Sequence, residues 1–394
     1  MEILVLQSEL GVLRGGGENF TRSLFTAFAE RGHHVTAAFV ADRQGRYPIP
    51  IPSSIKPIPI PGLWSRDLGQ ATLSSLGHRF PFRTGLKTKW DRLQEALSWR
   101  TIRLHDQRFK RKVERQFHRC WKSFDAIYVH GNVELASQVA QRRPTVLRLP
   151  GPVISDLEPL LRSVHAVCAN GDALNRIRDF LGNDAIELPI GIDARLFTPG
   201  VSPVRSLLGW SDQDYVVGYV GRLTHLKGVD LLAVAFHEVS QTIPEARLLI
   251  VGSGKEENSL RAILQKEISE NRVHIESDVN HEHLPQWYRA MDVLVMPSRY
   301  ENFSNSVLEA LACGISFLGS DVGGNKLLAS LGGLLFEPGS VVSLVDSLRN
   351  GFKERFQLQV RGRSASQDLR NRYSWEKTAE HLESVIISRL GVSS

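Results

Sequence analysis

MEILVLQSELGVLRGGGENFTRSLFTAFAERGHHVTAAFV, residues 1–40, decides the fold class. Residues 3–6 are a short apolar run of the kind a buried strand needs. A glycine loop follows at 15–17, and then Phe20, Leu24, Ala27 and Phe28 recur at helical spacing. Gly32 is placed to cap that helix, and HVTAAFV reads as a second strand. Strand, glycine loop, helix and strand make one βαβ unit. Its right-handed crossover sets both strands parallel in one sheet.

Working outward, 394 residues at 42% hydrophobic content are enough for two to three domains with real cores. No apolar run of about 18 residues occurs, so no transmembrane helix is expected. The N-terminus has no basic n-region and no small-residue cleavage site, which points to a cytoplasmic protein. Cys120, Cys168 and Cys313 lack CxxC spacing, so neither a disulfide framework nor a zinc site is expected. Net charge is +6, but residues 79–122 hold fourteen Lys and Arg against four acids, leaving a net negative charge elsewhere. Such a stretch suits nucleic acid, an anionic membrane or a phosphorylated substrate.

The stretch YPIPIPSSIKPIPIPG, 47–62, contains six prolines and reads as an extended surface loop. Within 90–121, Phe109, Val113, Phe117 and Trp121 are spaced by four among basic residues, the pattern of an amphipathic helix. FDAIYVHG, PTVLRLPG and AVCAN then supply three short buried strands. LPIGIDARLFTPG, punctuated by Pro and Gly, reads as a linker. YVVGYVGR, ARLLIVGSG, RVHIES, DVLVMPS, GISFLGSD and GGLLFEPG follow as a second parallel series. RYSWEKTAEHLESVIISRL reads as a long closing helix. The organisation expected is an N-terminal Rossmann-like domain at 1–188, a linker at 189–200, a second Rossmann-like domain at 201–372 and a closing helix at 373–394 returning to the first domain. Two doubly wound parallel sheets would then face a central cleft, and such sheets bind ligands at their carboxyl edges.

Two motifs carry chemistry. GRLTHLKG, 221–228, sets Arg222 and Lys227 between a strand and a helix, where a guanidinium fork and an ammonium suit a diphosphate. In PSRYENFSNSVLEALACG, 297–314, Ser304 and Asn305 are N-cap types. A helix starting there leaves Glu301 on the preceding loop and carries Glu309 about one turn inside. The amides of Phe303, Ser304 and Asn305 would face a phosphate, and Glu309 a vicinal diol such as a ribose. Glu301 is left for a sugar.

GRLTHLKG, IVGSGKEENSL, PSRYENFSNSVLEALACG and DVGGN, in this order, resemble the nucleotide-sugar domain of retaining GT-B glycosyltransferases of the family 4 type. LPIGIDARLFTPG and RYSWEKTAEHLE resemble that family's linker and closing helix. The resemblance implies that Arg222 and Lys227 bind the donor diphosphate, that Glu309 binds the ribose and that Glu301 contacts the hydroxyls of the transferred sugar. Backbone amides of Asn302, Phe303, Ser304 and Asn305 complete the donor site. Gly15 and Gly16 match the family's glycine loop beside the donor phosphate and acceptor, and His130 matches a histidine that contacts the sugar near the reacting carbon. The chain departs from the pattern at Asn325, Lys326, Leu327 and Leu328, where a Glu is frequent after the glycine pair. Ser277 stands where glycine is usual, and Phe20 stands where His or Arg is frequent.

The expected activity is transfer of a sugar, glucose by default, from a nucleotide diphosphate sugar such as UDP-glucose. The acceptor expected is a hydroxyl of a saccharide or lipid-linked saccharide, as in polysaccharide or glycoconjugate biosynthesis. No DxD motif or His/Asp cluster stands ready for Mg²⁺, so no metal or cofactor is expected. The basic stretch is assigned to the acceptor side, as peripheral contact with an anionic membrane, with a solvated helix face as the alternative. A nucleotide-sugar epimerase and a non-catalytic nucleotide-sugar binding module are the rival readings. A nicotinamide dehydrogenase would need the third glycine that VGSGKEEN lacks. No nucleic-acid motif accompanies the basic stretch.

Overall fold

The computed structural model describes residues 1–13, 16–62, 104–151, 155–277 and 279–392. The chain forms two units, Met1–Gly191 with Trp375–Ser394, and Ile192–Ser374.

The first unit is built on a parallel sheet in the order β3-β2-β1-β4-β5-β6-β7. Its central strands, β1 (Glu2–Leu6), β2 (His34–Val40), β4 (Ala126–His130), β5 (Thr145–Arg148) and β6 (Ala166–Ala169), are buried almost throughout, as a sheet covered on both faces requires. The helix Gly16–Glu30 buries Phe20, Leu24, Ala27 and Phe28, the apolar set that its sequence spacing foretold, and with them Thr21 and Phe25. A helix through 104–117 buries Phe109, Val113 and Phe117 in the same core as Leu4, Ile60 and Ile127. The expected helical span of 90–121 is corrected at its end. The helix stops at 117, and Trp121 reaches the core from a separate 3-10 turn, Trp121–Ser123. Residues 90–103, and with them most of the basic stretch from 79, lie outside the described residues.

The proline-rich segment is also corrected. Ile55–Ile60 is not a loop but the edge strand β3, parallel to β2. Pro57 and Pro59 are two apart, so both missing N–H donors fall on one side, and an edge strand has one side without a neighbour. At the other edge, β7 (Ala185–Glu187) pairs with β6. Three residues are too few to announce a strand by period.

The helix Trp375–Leu390 buries Ala379, Leu382, Val385 and Ile386. Trp375 meets Phe20 edge-on at 5.2 Å, and Glu383 accepts from Arg31 at 2.6 Å.

The second unit has a parallel sheet in the order β10-β9-β8-β11-β12-β13. The strands are β8 (Tyr215–Val220), β9 (Ala246–Val251), β10 (Val273–Glu276), β11 (Val293–Met296), β12 (Phe317–Ser320) and β13 (Gly333–Phe336). With β8 first in sequence and central in space, the order reverses between β8 and β11, the switch point at which doubly wound sheets bind ligands. The loops after β8 and β11 therefore emerge side by side. Asp292, before β11, accepts from Arg205 at 2.8 Å and from Arg355 at 2.9 Å, bracing the opposite end of these strands.

Candidate functional site

After β8 the chain makes a 3-10 turn, His225–Lys227, that ends at Gly228 in the left-handed region, φ 67°. A Cβ at Gly228 would stand 1.9 Å from the Pro297 carbonyl oxygen, so glycine lets this turn lie directly against the end of β11. Arg299 fixes the same contact. Its backbone N–H donates to Leu226 O at 2.9 Å, while its guanidinium donates to His225 O and, with two bonds of 2.7 Å, to Asp230. Burial would raise the Asp230 carboxyl, but the hydrogen bonds and charge of Arg299 outweigh it and hold the group below its ordinary value.

The close approach brings Lys227 Nζ to 2.6 Å from Glu301 Oε2. Glu301 is 5% exposed, and its Oε2 also accepts from Ser298 Oγ at 3.3 Å. Its carbonyl accepts from the Gly324 N–H at 3.0 Å. A Cβ at Gly324 would lie 2.5 Å from Asn302 O, so the second glycine of DVGGN is what allows the β12 loop to press on Glu301–Phe303. Asn325, where the family pattern left a missing Glu in question, is fully buried. Its Nδ2 donates to Met296 O at 3.3 Å and Ser320 O at 3.2 Å, tying β11 to β12. Arg222 is placed differently. Its carbonyl accepts from the Tyr219 hydroxyl at 2.8 Å, but its side chain is exposed and, among the described residues, holds no ion pair. Burial first, and the Glu301 charge second, push the Tyr219 phenol upward, so it stays a neutral donor.

Helix Asn305–Ala312 begins where its sequence indicates. Ser304 is the N-cap, and its side chain accepts from the Val307 N–H. The N–H groups of the first turn have no carbonyl one turn earlier in the helix and carry its positive end. Glu309 lies one turn inside, held by two groups that sequence reasoning missed. The Tyr288 hydroxyl donates to Oε2 at 2.7 Å, and His281 Nε2 lies 3.1 Å from Oε1. Burial and the adjacent Glu309 carboxylate push the Tyr288 phenol well above its ordinary value. Phe197, from the segment 188–200, packs on both rings at 5.2 and 6.1 Å. Asn302 and Phe303, on the loop before the cap, are half-buried.

In the first unit, Gly15 lies outside the described residues and Gly16 opens its helix, exposed. The glycine in contact is the third one, Gly17, where a Cβ would stand 2.9 Å from His130 Nε2. His130 ends β4 and is buried, with Nδ1 3.2 Å from Thr21 Oγ1. Its register partner on β5 is Arg148, whose guanidinium lies 3.6 Å over the Phe20 ring. Phe20 occupies the position where the resemblance made a cation frequent. The cation stands over its ring instead, from another strand. Burial raises the Cys168 and Cys313 thiols to about 12, leaving them inert. Among the described residues, one trio of possible metal ligands comes together, Glu9, His105 and Asp106, in the first unit.

Residues 204–367 match the family model of glycosyl transferases group 1. Solved structures agree over the whole chain. Sucrose-phosphate synthase from Thermosynechococcus elongatus superposes with a TM-score of 0.77 at 20% identity, covering 100% of both chains. HepE of Anabaena, solved in complex with UDP-glucose, gives 0.68 at 19% identity over 98% of this chain and 100% of its own. Residues 204–367 are thus similar to the group 1 glycosyl transferases, and the two parallel-sheet units have the GT-B fold. Among curated relatives of this chain is a GDP-mannose-dependent monoacylated alpha-(1-6)-phosphatidylinositol monomannoside mannosyltransferase of Corynebacterium glutamicum. It is 30% identical over 213 residues, 51% of this chain and 55% of the relative. A D-inositol 3-phosphate glycosyltransferase of Segniliparus rotundus is 30% identical over 202 residues, 50% of this chain and 45% of the relative. The chain thus spans about half the length of the curated relatives it matches.

Proposed function

We propose that this chain transfers a sugar from a nucleoside diphosphate donor to an acceptor hydroxyl, with retention at the anomeric carbon. The observation that carries the reading is the 2.6 Å pair of Lys227 and Glu301 at the switch point of the second sheet, beside the capped helix that bears Glu309. A cation, a buried carboxylate and a helix N-terminus meet there within one matched family domain. In this reading the second unit is the donor domain, and the first unit is the acceptor domain.

Cleaving the bond between the anomeric carbon and the diphosphate leaves negative charge on the diphosphate and positive charge on the ring. Lys227, the exposed Arg222 and the amides from Asn302 to Asn305 stabilise the departing diphosphate. Glu301 accepts from the sugar hydroxyls, and Glu309, steadied by Tyr288, accepts from the ribose. The acceptor oxygen bonds to the anomeric carbon on the face the diphosphate leaves, and its proton passes to a departing phosphate oxygen. With these cations in place, the chemistry needs no bound metal.

UDP-glucose is the donor we propose, supported by the likeness to a structure that holds it. GDP-mannose is the second reading, favoured by the name of the Corynebacterium relative. The acceptor class is a saccharide or lipid-linked saccharide reached at the cytoplasmic face of an anionic membrane. No helix among the described residues is long and apolar enough to cross one. What supports surface contact is an exposed stripe of Arg108, Arg111, Arg115 and Arg119 on and just beyond the helix through 104–117.

The test has two arms. A thermal-shift panel of UDP, GDP, ADP and their sugars identifies the donor, because a ligand that binds the folded state raises its apparent stability. Transfer to an added saccharide, measured with EDTA present, separates a metal-independent transferase from an epimerase, which converts donor without acceptor. Donor conversion without transfer, or binding without either, would overturn the reading.

A further inference from the structure

Arg148, at the end of β5, is 3% exposed, and Asn170, just after β6, is 1% exposed. A buried charge is costly unless it is paired and hydrogen-bonded. Among the described residues, no carboxylate forms an ion pair with Arg148. Glu18 favours its charge only through a longer-range interaction, and burial lowers the guanidinium below its ordinary value. Phe20 supports one face of the guanidinium at 3.6 Å. In the plane, Nη2 reaches Asn170 Oδ1 at 3.4 Å, whereas Nε and Nη1 have no acceptor.

Asn170 adds an independent observation. It occupies the N-cap position of helix Gly171–Leu181, where an asparagine oxygen ordinarily accepts from the helix's own N–H groups, yet its side chain makes no capping bond. It turns to Arg148 instead, and its Nδ2 also lacks an acceptor. Two adjoining buried side chains therefore present three nitrogen atoms with N–H groups and no partner. A ligand that only accepts hydrogen bonds and carries negative charge satisfies both deficits. The place is consistent with a ligand site, since Arg148 and Asn170 stand at the carboxyl edge of a doubly wound sheet. His130 pairs with Arg148 in register. Phe20 lies in the second turn of helix Gly16–Glu30, whose N-terminus adds positive potential.

We propose that Arg148 and Asn170 form an anion subsite that takes a phosphate group of the acceptor. As an acceptor subsite this rests on the transferase reading, whereas the binding of phosphate itself does not. The ligand's phosphate comes either from a soluble phosphorylated saccharide or from a lipid headgroup, and both present the same oxygens to the fork.

The experiment uses the full chain with saturating UDP, so that the donor residues are occupied, and titrates inorganic phosphate by calorimetry. Wild type should bind it. Asn170→Asp sets a carboxylate of nearly the same shape against Arg148. It should weaken phosphate binding at least tenfold while leaving the melting temperature unchanged or higher and UDP affinity unaltered. Arg148→Gln should lose phosphate binding as well, and if that variant fails to fold, Asn170→Asp decides alone. No phosphate binding by wild type, or equal binding by Asn170→Asp, overturns the subsite. Failure of UDP to bind wild type would instead strike the donor reading and leave the phosphate comparison standing. Sedimentation with phosphatidylcholine vesicles, with and without phosphatidylinositol, separates the sources. Loss of phosphatidylinositol-dependent binding in Asn170→Asp supports the subsite with a lipid headgroup, and loss of phosphate affinity alone supports it with a soluble phosphate ester.

Discussion

Lys227 Nζ and Glu301 Oε2 are 2.6 Å apart, although 74 positions separate the two residues. The pair is mostly shielded, so each group depends on the other for charge compensation. Lys227→Ala should therefore act twice. On the proposed transferase reading it removes a cation from the departing diphosphate, which should cost about 10²–10³ in turnover by comparison with other single electrostatic contacts in transition states. It also strands a buried carboxylate, which should cost about 1.5–3 kcal/mol in stability. The double variant Lys227→Ala, Glu301→Gln should recover stability but not transfer. Urea unfolding and initial-rate assays on wild type and both variants check this, and recovered transfer in the double variant would contradict it.

Tyr288 gives a different signature. Its hydroxyl holds Glu309 at 2.7 Å, and burial keeps the phenol neutral and donating. Tyr288→Phe should raise KM for the donor about tenfold, with kcat changed less than threefold, the size expected for one hydrogen bond to a charged group. A fall in kcat at constant KM would show that Tyr288 serves the reaction step rather than the ribose.

The exposed arginines should govern surface binding. Neutralising Arg108, Arg111, Arg115 and Arg119 with Gln leaves Phe109, Val113 and Phe117 in the core, so the fold should persist. Each basic residue near an anionic surface contributes about 1 kcal/mol. Sedimentation with anionic liposomes should drop by at least a hundredfold in partition, with little change on neutral ones. Equal binding by both proteins would make the stripe a solvated helix face.

Acid should loosen the clamp on the Lys227 turn. The folded-state carboxyl of Asp230 lies below its ordinary value of about 3.9, so its stabilising contribution is fully present above that pH. The contribution is lost as pH falls through the folded value. Wild type should thus exceed Asp230→Asn in stability at pH 5, and the margin should shrink below about pH 4. Chemical denaturation across this range measures it.

These cases also mark what a sequence can disclose. Ser304 was legible as a cap because capping is local chemistry, and Glu309 followed from it by helical rise. Lys227 and Glu301 were legible as members of two motifs expected at one site, but not as an ion pair, because their contact depends on β8 and β11 lying side by side in the sheet. Tyr288 and Arg148 were not. Tyr288 reaches Glu309 from another helix, and Arg148 reads as one more residue in a short strand until Phe20 and Asn170 are seen around it. The edge strand β3 was obscured by proline, whose exclusion applies to central strands and not to a strand with one open side.

Gly17 leaves the room that His130 occupies. It lies in the first turn of helix Gly16–Glu30, where alanine is the better helix former by up to about 1 kcal/mol. A Cβ there would stand 2.9 Å from His130 Nε2, and His130 is buried with Thr21 Oγ1 on its other nitrogen. The imidazole cannot retreat without breaking that contact. Gly17→Ala should therefore displace the ring and lower transfer at least tenfold with UDP affinity unchanged, while the melting temperature stays level or falls slightly, the helix gain offsetting part of the strain. His130→Ala should lower transfer similarly, and adding Gly17→Ala to it should cost nothing further, since no ring is left to displace. Additive losses in the double variant would mean that Gly17 acts on transfer by a route other than His130, and an unaltered rate in Gly17→Ala would remove His130 from the reaction.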